Sequence, residues 1–166
     1  IKPEAILLEP VGKNTAPAIT VACLKAIENN LDPYLLVLPA DHIIKDINTF
    51  IKVIEKAKDD VQKGKLITFG ISPSKPETGF GYIESEKELD TSKLKGEKIV
   101  NFIEKPDLET AKKLICDKRF SWNSGMFFFK ADVFLEELFK FKENIYKFCK
   151  KSLIRSNLDL DFQRIE

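Results

Sequence analysis

Two short polar segments carry side chains suited to holding a phosphorylated ligand. Asp41 follows the apolar run 34–38, and Glu104 and Lys105 end a later apolar segment. A carboxylate beyond a buried strand can hold Mg²⁺ through one or two oxygens, while an ammonium group suits phosphate as a point charge. Each feature also has a structural explanation. Asp41 is a candidate cap for the following turn, and Glu104–Lys105 is a candidate surface ion pair worth about 0–1 kcal/mol.

Two further segments combine small and polar residues. Gly79 and Gly81 lie on either side of Phe80, and glycines spaced in this way let a backbone approach a ligand closely and offer N–H groups. Asn123 carries both a donor and an acceptor for hydroxyl groups, and it follows Trp122 in a segment read as a turn. A hairpin turn and a turn with a core tryptophan explain the same residues, so both interpretations stay open.

The apolar segments predict an α/β fold. Strands at 5–8, 34–38 and 66–70 alternate with helices that begin near Pro17 and at residue 47, which favours a mostly parallel sheet flanked by helices. Further elements are predicted beyond residue 72, with strands at 82–84, 99–104 and 126–129 and helices starting at 106, 134 and 145. No linker or repeat interrupts the 166 residues, so one domain is expected.

Composition narrows the function. Lys and Arg number 27 against 26 Asp and Glu, so a basic field for nucleic acid is not expected. The longest apolar runs fall short of the roughly 20 residues that span a bilayer, and no membrane partner is expected. Cys23, Cys116 and Cys149 form no C-x-x-C pair and predict free thiols of a reducing cytoplasm. His42 is the single histidine and is read as a hydrogen-bonded loop residue rather than a catalyst.

Five segments in order resemble motifs of bacterial mannose-1-phosphate guanylyltransferases. They are residues 9–19 (E-P-x-x-R-N-T-A-P-A-I), 38–42 (L-P-A-D-H), 70–83 (G-I-x-P-x-x-P-E-T-G-Y-G-Y-I), 102–106 (F-x-E-K-P) and 122–127 (W-N-S-G-[MI]-F). A sixth, weaker likeness joins residues 161–166 to the family's S-I-D-Y-A-x-M-E segment, because Asp159 and Leu160 replace the usual residues before Asp161.

This resemblance implies a Rossmann-like, GT-A-type nucleotidyltransferase fold with a mixed, mostly parallel sheet. Residues 1–71 would be the remainder of the nucleotide-binding half, and residues 72–166 the sugar-phosphate half. The implied reaction transfers GMP from GTP to mannose 1-phosphate, giving GDP-mannose and pyrophosphate for cytoplasmic nucleotide-sugar and surface polysaccharide biosynthesis. Association into a homodimer is left open.

The resemblance also implies a role for individual residues. Asp41 and Asp161 would hold Mg²⁺, and Lys105 would bind the sugar phosphate. Glu104 and Asn123 would contact mannose hydroxyls, and Gly79 would present its backbone to the sugar. The residues implied on the nucleotide side are Glu9, Pro10, Lys13, Asn14 and Thr15.

The sequence also departs from the family pattern. No G-G-x-G-x-R loop, the family's triphosphate cradle, occurs in these residues, and the first β-α unit is expected to be missing. Lys13 stands where the family has Arg, which keeps the charge but loses two-pronged hydrogen bonding. The chain alone is therefore expected to have little or no activity. Two alternatives are another sugar-1-phosphate nucleotidylyltransferase and a non-catalytic sugar-phosphate-binding remnant.

Overall fold

The computed structural model describes residues 2–29, 32–90 and 92–166. The elements in chain order are β1 (Ile6–Leu8), α1 (Thr15–Asn29), β2 (Tyr34–Val37), α2 (Ile47–Gln62), β3 (Ile67–Ile71), β4 (Gly81–Ser85), β5 (Ile99–Glu104), α3 (Leu108–Leu114), β6 (Phe120–Lys130), α4 (Ala131–Ile154), β7 (Asn157–Asp159) and β8 (Phe162–Arg164). The chain forms two compact units, unit 1 comprising Ile1–Leu35 with Phe129–Glu166 and unit 2 comprising Leu36–Phe128.

Unit 1 packs two helices on a small sheet. Strands β1, β8 and β7 lie in that order, with β1 parallel to β8 and β7 antiparallel to it. Val21 of α1 and Cys149 and Leu153 of α4 are buried together with Ile165, which follows β8. The separate helices expected from 134 and 145 form one element, interrupted where Lys142 has the non-helical angles φ −145° and ψ 56°.

Unit 2 is built on antiparallel strands. β6 pairs with both β3 and β4, and β4 pairs with β5. The sheet has the order β2-β6-β4-β5, with β3 also on β6. Helix α2 packs on a cluster around Val61 and Phe69, and α3 packs on a second cluster around Tyr82 and Trp122. Asp107 begins α3 as expected, since its carboxylate accepts a hydrogen bond from the Thr110 N–H at 2.7 Å.

The mixed α/β class with helix-flanked sheets is confirmed, but the expected predominance of parallel pairing is wrong for the described ladders. Among the strand pairs whose register is described, β1–β8 is parallel and the other four are antiparallel. The physical reason is the connection between strands. The described residues between β4 and β5 form no helix, whereas a parallel pair would need a helical crossover there. Among the described residues, no helix is both long and apolar enough to cross a bilayer.

Candidate functional site

A β-bulge in β6 presents Asn123. Gly70 of β3 lies opposite Asn123, and Thr68 lies opposite Phe127, so two steps along β3 match four along β6. Gly125 lies in this bulge with φ +69°, a conformation that glycine adopts without strain. The segment expected to be a turn before a strand at 126–129 is thus part of an 11-residue strand.

Side chains of the bulge satisfy the backbone groups that it releases. The Ser124 hydroxyl donates to the Phe69 carbonyl at 2.6 Å and accepts from the Met126 N–H at 3.1 Å. The Asn123 side-chain oxygen accepts from the Gly125 N–H at 3.2 Å. Ser124 is only 4% exposed, so water does not reach these backbone groups and the side chains supply their hydrogen-bond partners instead. Hydrogen bonds from Ser124 and from the Asn123 side chain therefore hold the backbone around Asn123.

Asn123 and Glu104 lie in one row across three strands. Gly81 of β4 pairs with Glu104 of β5, and Tyr82 pairs with Trp122 of β6. Continuing that register by one residue sets Gly81 beside Asn123. Neighbouring strands are about 4.8 Å apart, so the backbones at Glu104 and Asn123 are separated by roughly 10 Å with a glycine between them.

The two polar side chains of this row share one face of the sheet. Tyr82, Trp122 and Ile103 pack together under α3. Since side chains alternate along a strand, Glu104 and Asn123 lie on the opposite face. A Cβ added to Gly81 would lie 2.8 Å from Glu104 Oε2, so the missing side chain makes room for this carboxylate. The row therefore carries an acceptor and an amide on one face, and we call these two groups, with Gly81 between them, the notch.

Lys105 sits at the end of this row in a strained conformation. Its φ is +46°, although it is not glycine and precedes Pro106, and its N–H donates to the Phe80 carbonyl at 3.2 Å. Such strain costs about 1–3 kcal/mol and tends to occur at functional sites. Lys105 Nζ lies 3.9 Å from Glu104 Oε1, and the two side chains are 65% and 60% exposed. Both charged groups are thus accessible to a ligand.

The loop that carries Gly79 is anchored near both of its ends. The Tyr82 hydroxyl, in a fully buried side chain, donates to the Glu77 carbonyl at 2.9 Å. The Phe80 ring meets Trp122 edge-on, with 5.2 Å between ring centroids. Gly79 itself is exposed, and no atom lies within 4 Å of an added Cβ. Its backbone is therefore open to a ligand.

Asp41 lies in a turn beyond β2 with an exposed carboxylate. Its side chain is 89% exposed, and its Oδ1 lies 3.9 Å from His42 Nε2. Mg²⁺ is coordinated by oxygen ligands, and an exposed carboxylate can supply one, so the side chain of Asp41 fits the role of a metal ligand. Among the described residues, no cluster of three or more His, Cys, Asp or Glu side chains is arranged to hold a metal ion.

The residues implied on the nucleotide side belong to unit 1 and form an exposed loop. Glu9 follows β1, Asn14 has φ +76°, and Thr15 begins α1. Asparagine tolerates the left-handed region better than most residues. The exposed members of the predicted set are Glu9, Pro10, Lys13, Asn14 and Thr15.

Asp161 is not brought to this loop. It lies in the turn between β7 and β8, and β8 runs parallel to β1 with Ile6 opposite Phe162. Asp161 therefore precedes the parallel pair, whereas Glu9 follows it. In the register of this parallel pair, Asp161 and Glu9 are four residues apart along the strand direction, which corresponds to about 13 Å. Within unit 1, the predicted metal ligand and the predicted nucleotide loop are at opposite ends of the sheet.

The cysteines are free, as expected. Cys23 is fully buried, and this burial raises the pKa of its thiol to about 12. Burial, and to a smaller extent the charge of Glu9, also raises the pKa of Cys149. Since the thiolate is the reactive form, neither residue is a nucleophile near neutral pH. Cys116 is exposed.

A cavity of about 820 Å³ in unit 2 reaches the β3 side of Asn123, since its lining includes Thr68 and Gly70. It is bordered by α2, by β3 and by residues 94–99, and its lining includes none of the predicted site residues. Sequence reasoning missed Thr68 and Ser124, which hold the bulge, and did not give Gly81 its role beside Glu104. The spacing of Gly79 and Gly81 was the only signal for the latter.

The family follows from comparison with known sequences. Residues 2–166 match the family model described as Nucleotidyl transferase, so the chain belongs to the nucleotidyl transferase family. It is 46% identical over 166 residues to the xanthan biosynthesis protein XanB of Xanthomonas campestris pv. campestris (strain B100), covering all of this chain and 34% of that protein. It is 47% identical over 164 residues to a mannose-1-phosphate guanylyltransferase of Salmonella montevideo, and the match covers 97% of this chain and 34% of that protein. The chain spans about a third of the length of the curated relatives it matches.

Solved structures share the fold. A Helicobacter pylori protein described as mannose-6-phosphate isomerase superposes with a TM-score of 0.80 at 41% identity, over 98% of this chain and 60% of that one. A Thermus thermophilus protein described as mannose-1-phosphate geranyltransferase gives a TM-score of 0.77 at 27% identity, and the superposition covers 90% of this chain and 43% of that one. The names of these two proteins differ in activity and share a mannose phosphate.

Proposed function

We propose that this chain carries the sugar-phosphate site of a mannose-1-phosphate guanylyltransferase. In this reaction a phosphate oxygen of mannose 1-phosphate attacks the α-phosphorus of GTP. The bond between the α-phosphorus and the oxygen that bridges it to the β-phosphorus breaks, pyrophosphate leaves, and GDP-mannose forms. The observation that supports the proposal best is the row of Glu104, Gly81 and Asn123 with Lys105 at its end. The names of the relatives support the choice of mannose.

Different residues of the row would bind the phosphate and the sugar of the ligand. The Lys105 ammonium carries the positive charge and neutralises the sugar phosphate, which lowers the cost of bringing two anions together. The Glu104 carboxylate accepts hydrogen bonds from sugar hydroxyls, and the Asn123 amide complements it from the other side of the notch. Gly79 contributes an open backbone. The protein's share of the catalysis is then positioning and charge neutralisation rather than covalent chemistry.

Magnesium and nucleotide contacts complete the proposal. Asp41 in unit 2 and Asp161 in unit 1 are each proposed as a Mg²⁺ ligand. Bound Mg²⁺ would offset phosphate charge and polarise the phosphoryl oxygens. The accessibility of the Asp41 carboxylate supports its part, and the resemblance of residues 161–166 supports that of Asp161. Base and ribose would lie against the exposed loop that runs from Glu9 to Thr15. The product would serve surface polysaccharide synthesis, a role supported by the printed name of the xanthan biosynthesis protein XanB. The reaction would take place in the cytoplasm.

Calorimetric titration of the chain with mannose 1-phosphate tests this proposal. We expect saturable binding that Lys105→Met weakens at least about tenfold, since a hydrogen bond to a charged group contributes about 1.5–3 kcal/mol. Lys118→Met, an exposed lysine in the same unit, is the matched control and should bind as the unmodified chain does. No binding, or equal losses in both variants, would contradict the proposal.

A substrate panel separates the remaining alternatives. Tighter binding of glucose 1-phosphate than of mannose 1-phosphate would favour another sugar-1-phosphate nucleotidylyltransferase. Sugar-phosphate binding with no binding of GTP in the presence of Mg²⁺ would favour a non-catalytic sugar-phosphate-binding remnant. Pyrophosphate release from GTP, measured in parallel, reports turnover directly.

A further inference from the structure

Thr68 contacts the side chain that the proposed function assigns to the sugar. It lies on β3, and its hydroxyl is 3.3 Å from Asn123 Oδ1 and 3.1 Å from the Met126 carbonyl. Thr68 is partly buried and also lines the cavity beside α2. A residue 55 positions away in sequence thus touches the functional amide.

The neighbours of the Asn123 amide determine which of its ends faces a ligand. The Gly125 N–H can only donate, so the Asn123 atom that lies 3.2 Å from it must be the oxygen. Thr68 Oγ1 lies 3.3 Å from the same oxygen and can donate to it, sharing its single proton with the Met126 carbonyl at 3.1 Å. The Gly125 N–H thus fixes which end of the amide is the oxygen, and Thr68 adds a shared hydrogen bond to that oxygen. The nitrogen, with its two N–H groups, is then the end of Asn123 that is left for a ligand.

We infer that Thr68 is a positioning residue that holds Asn123 as a hydrogen-bond donor to mannose 1-phosphate. This inference rests on the proposed function and adds the direction of the hydrogen bond. Asn123 donates to a ligand oxygen, and Glu104 on the far side of Gly81 accepts from a ligand hydroxyl. The notch therefore selects a ligand with an acceptor and a donor in that order.

The Thr68 hydroxyl has one proton for two acceptors, so its loss should weaken binding without abolishing it. A neutral hydrogen bond contributes about 0.5–1.5 kcal/mol, which corresponds to roughly a three- to tenfold change in Kd. A role limited to satisfying the Met126 carbonyl would change stability and leave the effect of Asn123 on binding unaltered. The two roles differ in whether Thr68 and Asn123 are coupled.

A double-mutant cycle measures that coupling. The variants are Thr68→Val, which keeps shape and removes the donor, Thr68→Ser, which keeps the donor, Asn123→Ala, and Thr68→Val with Asn123→Ala. Calorimetry should give about a three- to tenfold loss for Thr68→Val and a change within about twofold for Thr68→Ser. In the Asn123→Ala background, Thr68→Val should have no further effect. An equal loss in both backgrounds would overturn the inference.

A ligand-free measurement separates this inference from the proposed function. The ¹³Cγ resonance of Asn123 reports hydrogen bonding to its carbonyl, so Thr68→Val should move it upfield and Thr68→Ser should leave it in place. An unchanged resonance in Thr68→Val means that the hydrogen bond is absent, and the inference fails. If the resonance responds as expected and the unmodified chain does not bind mannose 1-phosphate, the proposed function fails and takes the donor role with it, while the hydrogen bond stands. Thermal unfolding of each variant checks that it folds.

Discussion

Gly81 leaves the space that the Glu104 carboxylate uses, and replacing it with alanine should move that carboxylate. An added Cβ would lie 2.7 Å from Phe102 Cζ and 2.8 Å from Glu104 Oε2, both well inside contact distance. Both atoms are at the ends of side chains, and Phe102 is about half exposed. The clash can therefore be relieved by side-chain rotation, without displacement of the backbone.

The magnitude of this effect differs between stability and binding. Overpacking costs about 1–3 kcal/mol, and the exposed neighbours put Gly81→Ala at the lower end, about 1 kcal/mol. For a chain of this size that corresponds to a shift in Tm of roughly 2–4 °C. Loss of the hydrogen bonds from the ligand to Glu104 costs about 1.5–3 kcal/mol, or at least about a tenfold rise in Kd for mannose 1-phosphate.

Calorimetry and thermal unfolding together test this reasoning. Gly96→Ala is the matched control, because its added Cβ would meet only Asp60 Oδ2, at 4.0 Å, and it should bind mannose 1-phosphate normally. Unchanged affinity in Gly81→Ala would show that the carboxylate beside this glycine does not contact the sugar. A fall in Tm of more than about 10 °C would refute the idea that side chains alone absorb the clash.

Three further predictions concern the bulge, the thiols and a helix cap. Ser124→Ala should destabilise the chain by about 2–4 kcal/mol in urea unfolding, because two buried backbone groups lose their partner; a cost below about 0.5 kcal/mol would argue against the bulge. At pH 8 a thiol reagent should modify Cys116 before Cys23, whose pKa is about 12, and mass spectrometry of early time points would reveal the opposite order. Hydrogen bonds from the Thr49 hydroxyl and N–H lower the pKa of Asp46, so its contribution to stability is present above about pH 4 and is lost as pH falls through the lowered pKa. Asp46→Asn should then be less stable than the unmodified chain at pH 7 and equal to it near pH 2, and a constant difference would contradict the assignment.

Much of the architecture was predictable because it depends on local patterns. The apolar run at 34–38 and the helical periodicity after residue 47 correspond to β2 and α2. Strands β7 and β8 escaped prediction because each has three residues and little apolar content. The segment 122–125 was misread because a β-bulge uses the same small and polar residues as a turn.

The candidate site was predictable as a set of residues but not as an arrangement. Glu104 and Asn123 were singled out by their chemistry and by their motifs, yet their place in one row depends on the pairing of Gly81 with Glu104 and of Tyr82 with Trp122. Register between distant strands has no local signal in a single sequence. Thr68 was missed for the same reason, since its hydroxyl reaches Asn123 only once β3 and β6 have paired.

Amide and side-chain chemical shifts recorded during a titration with mannose 1-phosphate locate the residues that the ligand contacts. We expect the largest changes on the Gly81 and Lys105 N–H groups and on the Asn123 side-chain NH₂, and much smaller ones with mannose alone. The cavity beside α2 is the alternative location in the same unit. Changes concentrated at its lining residues Ala57, Ile67 and Ile99, with Gly81 and Asn123 unaffected, would show that the sugar phosphate binds in this cavity and not at Glu104, Lys105 and Asn123.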